Sequence, residues 1–385
     1  MTPDAGSADP IAVYVHWPYC ARICPYCDFN VVRDRSQAEQ AALAQAIIAD
    51  LRGQAALIGP RPLASLFLGG GTPSLMRAEW VAEIIAAARA LWPSDVEPEI
   101  SLEANPTDAE AGRFGDLAEA GVARLSLGLQ SLDDAALAFL GRNHDAAEAR
   151  RAAALAARLF ARLSIDLIYA RPGQTPAAWA DELRAAVELG AEHVSPYQVT
   201  IEPGTAFDRA VGRGTIVPPD PDLAASLYET TQDVLAAAGF DAYEVSNHAK
   251  GDAARSRHNL AYWTGQDYVG VGPGAHGRLT LDGARVATEA RRRVGDYIAQ
   301  VRKTGVGFAA PEALAARDVA LERLLMGLRI DQGVPWTALA PLELSGASPA
   351  VRDLAAQGLV ISGPTHLAAT RAGRTVLDGI IRALV

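Results

Sequence analysis

Cysteine is scarce in this sequence. Its 385 residues hold three, and all three fall in the stretch YCARICPYCD, as Cys20, Cys24 and Cys27. An odd, clustered set in a chain of this length rules out a disulfide framework and points to thiols kept reduced. Basic excess is also missing: the formal net charge of -10 argues against general binding to nucleic acid or to anionic membranes. No apolar run approaches the length of a membrane-spanning helix. The N-terminus, MTPDAGSADP, is polar and does not resemble a signal or transit peptide, so a cytoplasmic protein is expected. What remains is ordinary globular composition, 50% hydrophobic and 21% charged, with length enough for two or three domains.

Six short β-rich stretches follow one another: IAVYVHW from Ile11, ASLFLGG from Ala64, EISLEAN from Glu99, VARLSLGLQ from Val122, LSIDLIY from Leu163 and HVSPYQVT from His193. All but the last precede an alanine-rich helical segment. Repeated βα units predict a parallel sheet, and with little β signal afterwards to complete a ring of eight, an incomplete (β/α)6 barrel of TIM type. A doubly wound open sheet has a similar period. Polar residues collect at the strand ends, where barrel enzymes place their sites: the cysteines, then Gly69 to Thr72, Glu103 and Asn105, Gln130 and Ser131, with Asp166 and Gln198 inside later strands. Proposed boundaries are 10–217 for the barrel, 218–308 for an elaboration, and 309–385 for a mostly helical, winged C-terminal domain.

Three thiolates at CxxxCxxC have three readings. They are inert buried thiols, part of a zinc site, or ligands to three irons of a cube whose fourth iron stays open. Zinc is the weaker metal because it ordinarily wants a fourth protein ligand. The GGGT run, Gly69 to Thr72, lets backbone approach a ligand and expose N–H donors, although a tight turn explains it as well. In RHNLAYW a helix would bring His258 and Tyr262 to one face, beside Asn259 and Trp263. A capped helix with core aromatics is the plain alternative there.

The cysteine motif, with YVHWPYC before it and DFN after it, resembles the radical S-adenosylmethionine (SAM) enzymes. FLGGGTPSLM, SLEANP, LSLGLQSL, LGRNH, SIDLIYARPGQT, YEVSNHA, SRHNLAYW and YVGVGPGAHG, in that order, are similar to the branch of HemN coproporphyrinogen III dehydrogenases and HemW haem chaperones. The resemblance implies a [4Fe-4S] cluster on Cys20, Cys24 and Cys27, with SAM chelating the open iron. It also implies SAM contacts from Tyr14, Tyr26, Gly70, Gly71, Thr72, Glu103, Gln130, Arg142 and Asp166, Arg142 forking onto a carboxylate. It makes HNLAYW the haem feature, with His258 the ligand candidate, Asn259, Tyr262 and Trp263 around it, and His248 and His276 as less specific alternatives.

Two departures select within the branch. Phe29 stands where HemN-type enzymes carry a fourth cysteine, and only ten residues precede the first strand. Both favour a haem chaperone that binds haem and delivers it to haem-dependent proteins. The alternative is an oxygen-independent coproporphyrinogen III dehydrogenase working through a 5'-deoxyadenosyl radical. A haem methyltransferase and a structural zinc protein are further readings. Ala170-Arg171 replaces an expected glycine and apolar residue, which predicts a more basic rim able to hold a propionate. Homodimerisation and a peripheral membrane contact stay open.

Overall fold

The computed structural model describes residues 9–33 and 35–385. The polar segment read above as unlike a signal peptide lies, for residues 1–8, outside them.

Alternation in each β-rich stretch sets one face outward against helices and one inward. In the first strand, Ile11–Trp17, the residues Val13, Val15 and Trp17 are fully buried in the main core. Five further strands, Leu63–Gly70, Glu99–Ala104, Arg124–Gln130, Arg162–Tyr169 and His193–Gln198, pair in parallel in that order. These six strands lie side by side in chain order with no reversal among them, as a half-barrel requires. The inward register aligns Tyr14 with Phe67, Ser101 with Arg124, Glu103 with Ser126, and Asp166 with Ser195. Unlike a hydrocarbon-filled barrel, this lumen is polar.

The sheet does not stop at six strands. Tyr268–Val271 adds in parallel to the first strand, followed by the antiparallel His276–Leu281 and Ala284–Glu289, while His248–Ala249 adds to the sixth. The result is a sheet of twelve strands among the described residues. Sequence patterning gave this region only as glycine- and aromatic-rich, because short strands carry weak alternation. Helix Gln37–Ile58 has the length and composition of a membrane span, but it packs as a core helix. Its Asp50 accepts from Tyr297 Oη at 2.7 Å and from Gly307 N at 3.0 Å.

A second hydrophobic cluster, from Leu324 to Leu384, holds the C-terminal helices together with the hairpin Val360–Ser362 and His366–Ala369. It is pinned to the sheet by Arg329, whose guanidinium meets buried Glu244 at 2.6 Å, and by Arg374 donating to the Ala242 carbonyl at 2.8 Å.

Candidate functional site: a polar half-barrel lumen beside a three-cysteine loop

A cavity of about 600 Å³ occupies the lumen and reaches the cysteine loop. It brings together Cys20, Cys24 and Cys27 with Tyr14, Tyr26, Gly70, Gly71, Thr72, Glu103, Gln130, Arg142, Asp166, His258, Asn259 and Tyr262. Trp263 is not among its walls. Its ring lies instead 4.7 Å under the Arg329 guanidinium, toward the C-terminal domain. That differs from the expected grouping, because Trp263 is five residues beyond His258 and falls on another helix face.

Thr72 Oγ1 donates to Cys20 Sγ at 3.5 Å, and Arg142 Nη1 donates to Cys24 Sγ at 3.3 Å. Burial, helped by the neighbouring thiols, pushes Cys27 up to about 11, and burial also raises Cys20. Thiols held neutral this way deprotonate when iron binds, releasing protons. Among the described residues no three His, Cys, Asp or Glu side chains converge on a point that would suit a single metal ion. Three sulfurs spread over a loop suit the separate corner irons of a cube better than one tetrahedral zinc.

The glycine run does something other than predicted. Its N–H groups are already used: Gly70 donates to Glu103 Oε2 at 3.1 Å, Gly71 to the Trp17 carbonyl at 2.7 Å and Thr72 to the Tyr19 carbonyl at 2.9 Å. The glycines are required by closeness. A Cβ on Gly70, whose φ is +106°, would stand 2.6 Å from the His16 ring, and one on Gly71 would stand 2.7 Å from the Tyr19 carbonyl oxygen. Arg142 is likewise not a free fork. It also donates to Asn105 Oδ1, to the Gly128 carbonyl at 3.1 Å and to Tyr26 Oη at 3.5 Å, bracing the cysteine loop against the third and fourth strands.

Acceptors dominate the middle of the lumen. Burial, then the nearby Asp166, pushes Glu103 up to about 8. Burial also raises Asp166, which accepts from Ser126 Oγ at 3.0 Å. Gln130 sits at φ +66°, at a register shift in the fourth strand, and its buried Oε1 has no partner. Such a bulge re-aims a side chain, and backbone strain of this kind concentrates at functional sites. Two carboxylates and an orphaned amide oxygen fit a ligand bearing a sulfonium, an ammonium and hydroxyl groups, which is the chemistry of SAM.

The closed end holds residues that the motif reading missed. Arg124 is 2% exposed, lines the cavity, and has a buried Nε without a partner. A charge on the inward alternation of an apolar strand was the signal available in VARLSLGLQ. Helix Arg257–Trp263, capped by Ser256, closes this end, with His258 N donating to Glu99 Oε1 at 3.4 Å. The His258 ring is 2% exposed, stacked on Phe67 at 4.7 Å and edge-on to Tyr262 at 4.6 Å. Neither of its nitrogens has a partner, and burial, then the Arg124 charge, lowers it to about 3.

Other expectations resolve differently. Arg171 does not make the rim basic: it is buried and ion-paired with Glu182, beside Ser131. Ala170 stands at φ +61°, which explains why glycine is expected there. His248 is buried and faces Gln232 at 3.3 Å, away from the lumen; Gln198 lines it.

Strand order, a polar lumen and a three-cysteine loop at its mouth define an iron-sulfur half-barrel protein that binds SAM. The Radical SAM superfamily pattern matches residues 14–186, and the HemN C-terminal domain pattern matches 314–376. The bovine mitochondrial protein called radical S-adenosyl methionine domain-containing protein 1 is 40% identical, covering 100% of this chain and 89% of its own. The heme chaperone HemW of Mycobacterium tuberculosis H37Rv is 34% identical, over 98% of this chain and 95% of its own. Coproporphyrinogen III oxidase (HemN) from Escherichia coli, a solved structure, superposes with a TM-score of 0.79 at 22% identity, covering 98% of this chain and 90% of that one. The chain belongs to the radical SAM superfamily, in the branch that contains HemN and HemW, and the [4Fe-4S] cluster and SAM come with that membership.

Proposed function

We propose that this protein is a haem chaperone: it binds haem and delivers it to haem-dependent proteins, while keeping a cluster and SAM in the barrel. The observation that carries the reading is likeness across nearly the whole chain to proteins named heme chaperone HemW, including the C-terminal domain. Phe29 supports it, since this exposed ring stands two residues after Cys27, where HemN-type enzymes have a further cysteine. The three units 10–217, 218–308 and 309–385, and a cytoplasmic location, belong to the same reading.

Cys20, Cys24 and Cys27 would hold the cluster. Tyr14, Tyr26, Gly70, Gly71, Thr72, Glu103, Gln130, Arg142 and Asp166 would surround SAM. Cluster and SAM supply one-electron bond-cleaving chemistry when bound. The chain's own part is placement: Arg142 and Thr72 fix the sulfurs, and the carboxylates of Glu103 and Asp166 set a field that favours a cation.

The test is anaerobic reconstitution with iron and sulfide, followed by haem titration and, in parallel, incubation with coproporphyrinogen III. Haem binding without porphyrinogen conversion supports the chaperone. Formation of protoporphyrinogen makes the protein an oxidative decarboxylase instead.

A further inference from the structure

Resting on the haem-chaperone reading, we propose that Arg124, at the closed end of the lumen, binds a propionate carboxylate of haem. A buried charge is ordinarily paired, because taking a guanidinium out of water without a counterion is costly. Arg124 is 2% exposed, lines the cavity, and keeps its Nε buried without a partner. Among the described residues it forms no ion pair. The acids at its level of the sheet are already taken: Arg162, its register partner in the next strand, holds Glu99 at 2.6 Å and Glu192 at 2.7 Å.

Nor do the acids of the lumen neutralise it. Asp166, raised by burial, accepts from Ser126 Oγ at 3.0 Å and feels the Arg124 charge without pairing with it. Glu103, held up to about 8 by burial and then by Asp166, keeps its proton at neutral pH, so it does not repel an entering carboxylate. The other arginines of the lining are not equivalent. Arg22 is exposed in the cysteine loop, and Arg142 is spent on Cys24, Asn105 and the Gly128 carbonyl. An outer cleft of about 470 Å³, which shares Tyr14 and Tyr262 with the lumen, has only an Arg292 that is 73% exposed and lies 3.5 Å from Glu289. The missing anion therefore belongs to a ligand that reaches the closed end.

His258 indicates which ligand. It stands on the helix that closes this end, both ring nitrogens lack partners, and burial, then the Arg124 charge, keeps the imidazole neutral. Neutral imidazole is the form that binds haem iron, and haem also carries two carboxylates at the edge of its ring. A guanidinium fork matches a carboxylate with two parallel hydrogen bonds. SAM has a carboxylate as well, but in this superfamily it goes to the open iron beside the cysteines, at the mouth. Arg124 and His258 together would grip one ligand at its edge and at its metal.

The test compares haem with its dimethyl ester, which lacks the carboxylates, in titrations of the full-length, cluster-loaded protein followed by the Soret band. The wild type is expected to bind haem at least about tenfold more tightly than the ester. Arg124→Met is expected to lose that preference by weakening haem alone, while the axial-ligand signature of the ferric form and the affinity for SAM stay as in the wild type. Arg124→Lys, which keeps the charge without the fork, is expected to fall between the two. Loss of a buried unpaired charge leaves Arg124→Met folded, as a thermal melt will show. Equal affinity of the wild type for haem and ester, or a preference unchanged in Arg124→Met, overturns the assignment. So does a loss of SAM binding in Arg124→Met, which gives the guanidinium to SAM. A wild-type protein that binds neither haem nor ester overturns the chaperone reading itself, a distinct result.

Discussion

Among the described residues neither Glu103 nor Asp166 has an ion-pair partner in the lumen, although the Arg124 charge acts on Asp166, and the consequence is a pH dependence of known sign. Glu103 is pushed up from its ordinary 4.5 to about 8. Between those values the folded chain keeps a proton that the unfolded chain has lost. Stability of the ligand-free protein is therefore full below about 4.5 and declines as pH rises to about 8. Thermal melts across that window will show the slope, and Glu103→Gln will reduce it, leaving the part due to the other raised carboxyls, Asp166 and Asp50. SAM runs the other way: its cationic centre gains only from the ionised carboxylate, so its affinity is expected to rise toward pH 8 and to flatten in the Gln variant, measured by equilibrium dialysis. Arg124 offers a second measurement. As a buried guanidinium whose Nε has no partner, it costs stability, so Arg124→Met is expected to raise the unfolding free energy, on the order of 1 kcal/mol in urea titrations. Ala170, buried at φ +61°, carries left-handed strain. Ala170→Gly is expected to stabilise by about 0.5–1 kcal/mol, since relief of the strain exceeds the entropy glycine loses.

At the scale of elements, helix Arg257–Trp263 joins three parts of the molecule. Its N-terminal half closes the lumen with His258; Tyr262 stands in the wall between the cavities; Trp263 leans on Arg329 of the C-terminal domain. Arg329 also neutralises Glu244, which is wholly buried. Arg329→Ala strands that carboxylate and is expected to cost roughly 2 kcal/mol, read by equilibrium unfolding. The helix was read from the i, i+4 spacing of His258 and Tyr262, which does bring the two rings together on one face. Which cavity that face meets was not legible, because it depends on the strand Tyr268–Val271 that places the chain beside the first strand.

For the molecule as a whole, the cysteine loop serves two cavities at once. Its sulfurs face the lumen, and Asn30, three residues past Cys27, braces the outer cleft. Removing the cluster with a chelator is therefore expected to loosen this loop and its brace, seen as a lower melting temperature relative to reconstituted protein. A melting temperature unchanged by chelation would show that the loop holds its place without the cluster.

The sequence by itself determined the half-barrel, because six strands of regular period separated by helices have few other ways to bury their faces. It also determined the cysteine cluster, since two short spacings keep three thiols in one loop whatever the rest of the chain does. Only the tertiary structure decided how these groups are used. The glycine N–H groups, Arg142 and Arg171 read as free donors in the sequence, yet each is taken by a partner distant along the chain. Burial of polar groups must be compensated locally, and the compensating partner is set by strand register, which one-dimensional spacing does not carry. Access to His258 and His276 differs for the same reason: one faces inward beneath a stack of aromatic rings, and the other begins an outer strand that the alternation was too short to reveal.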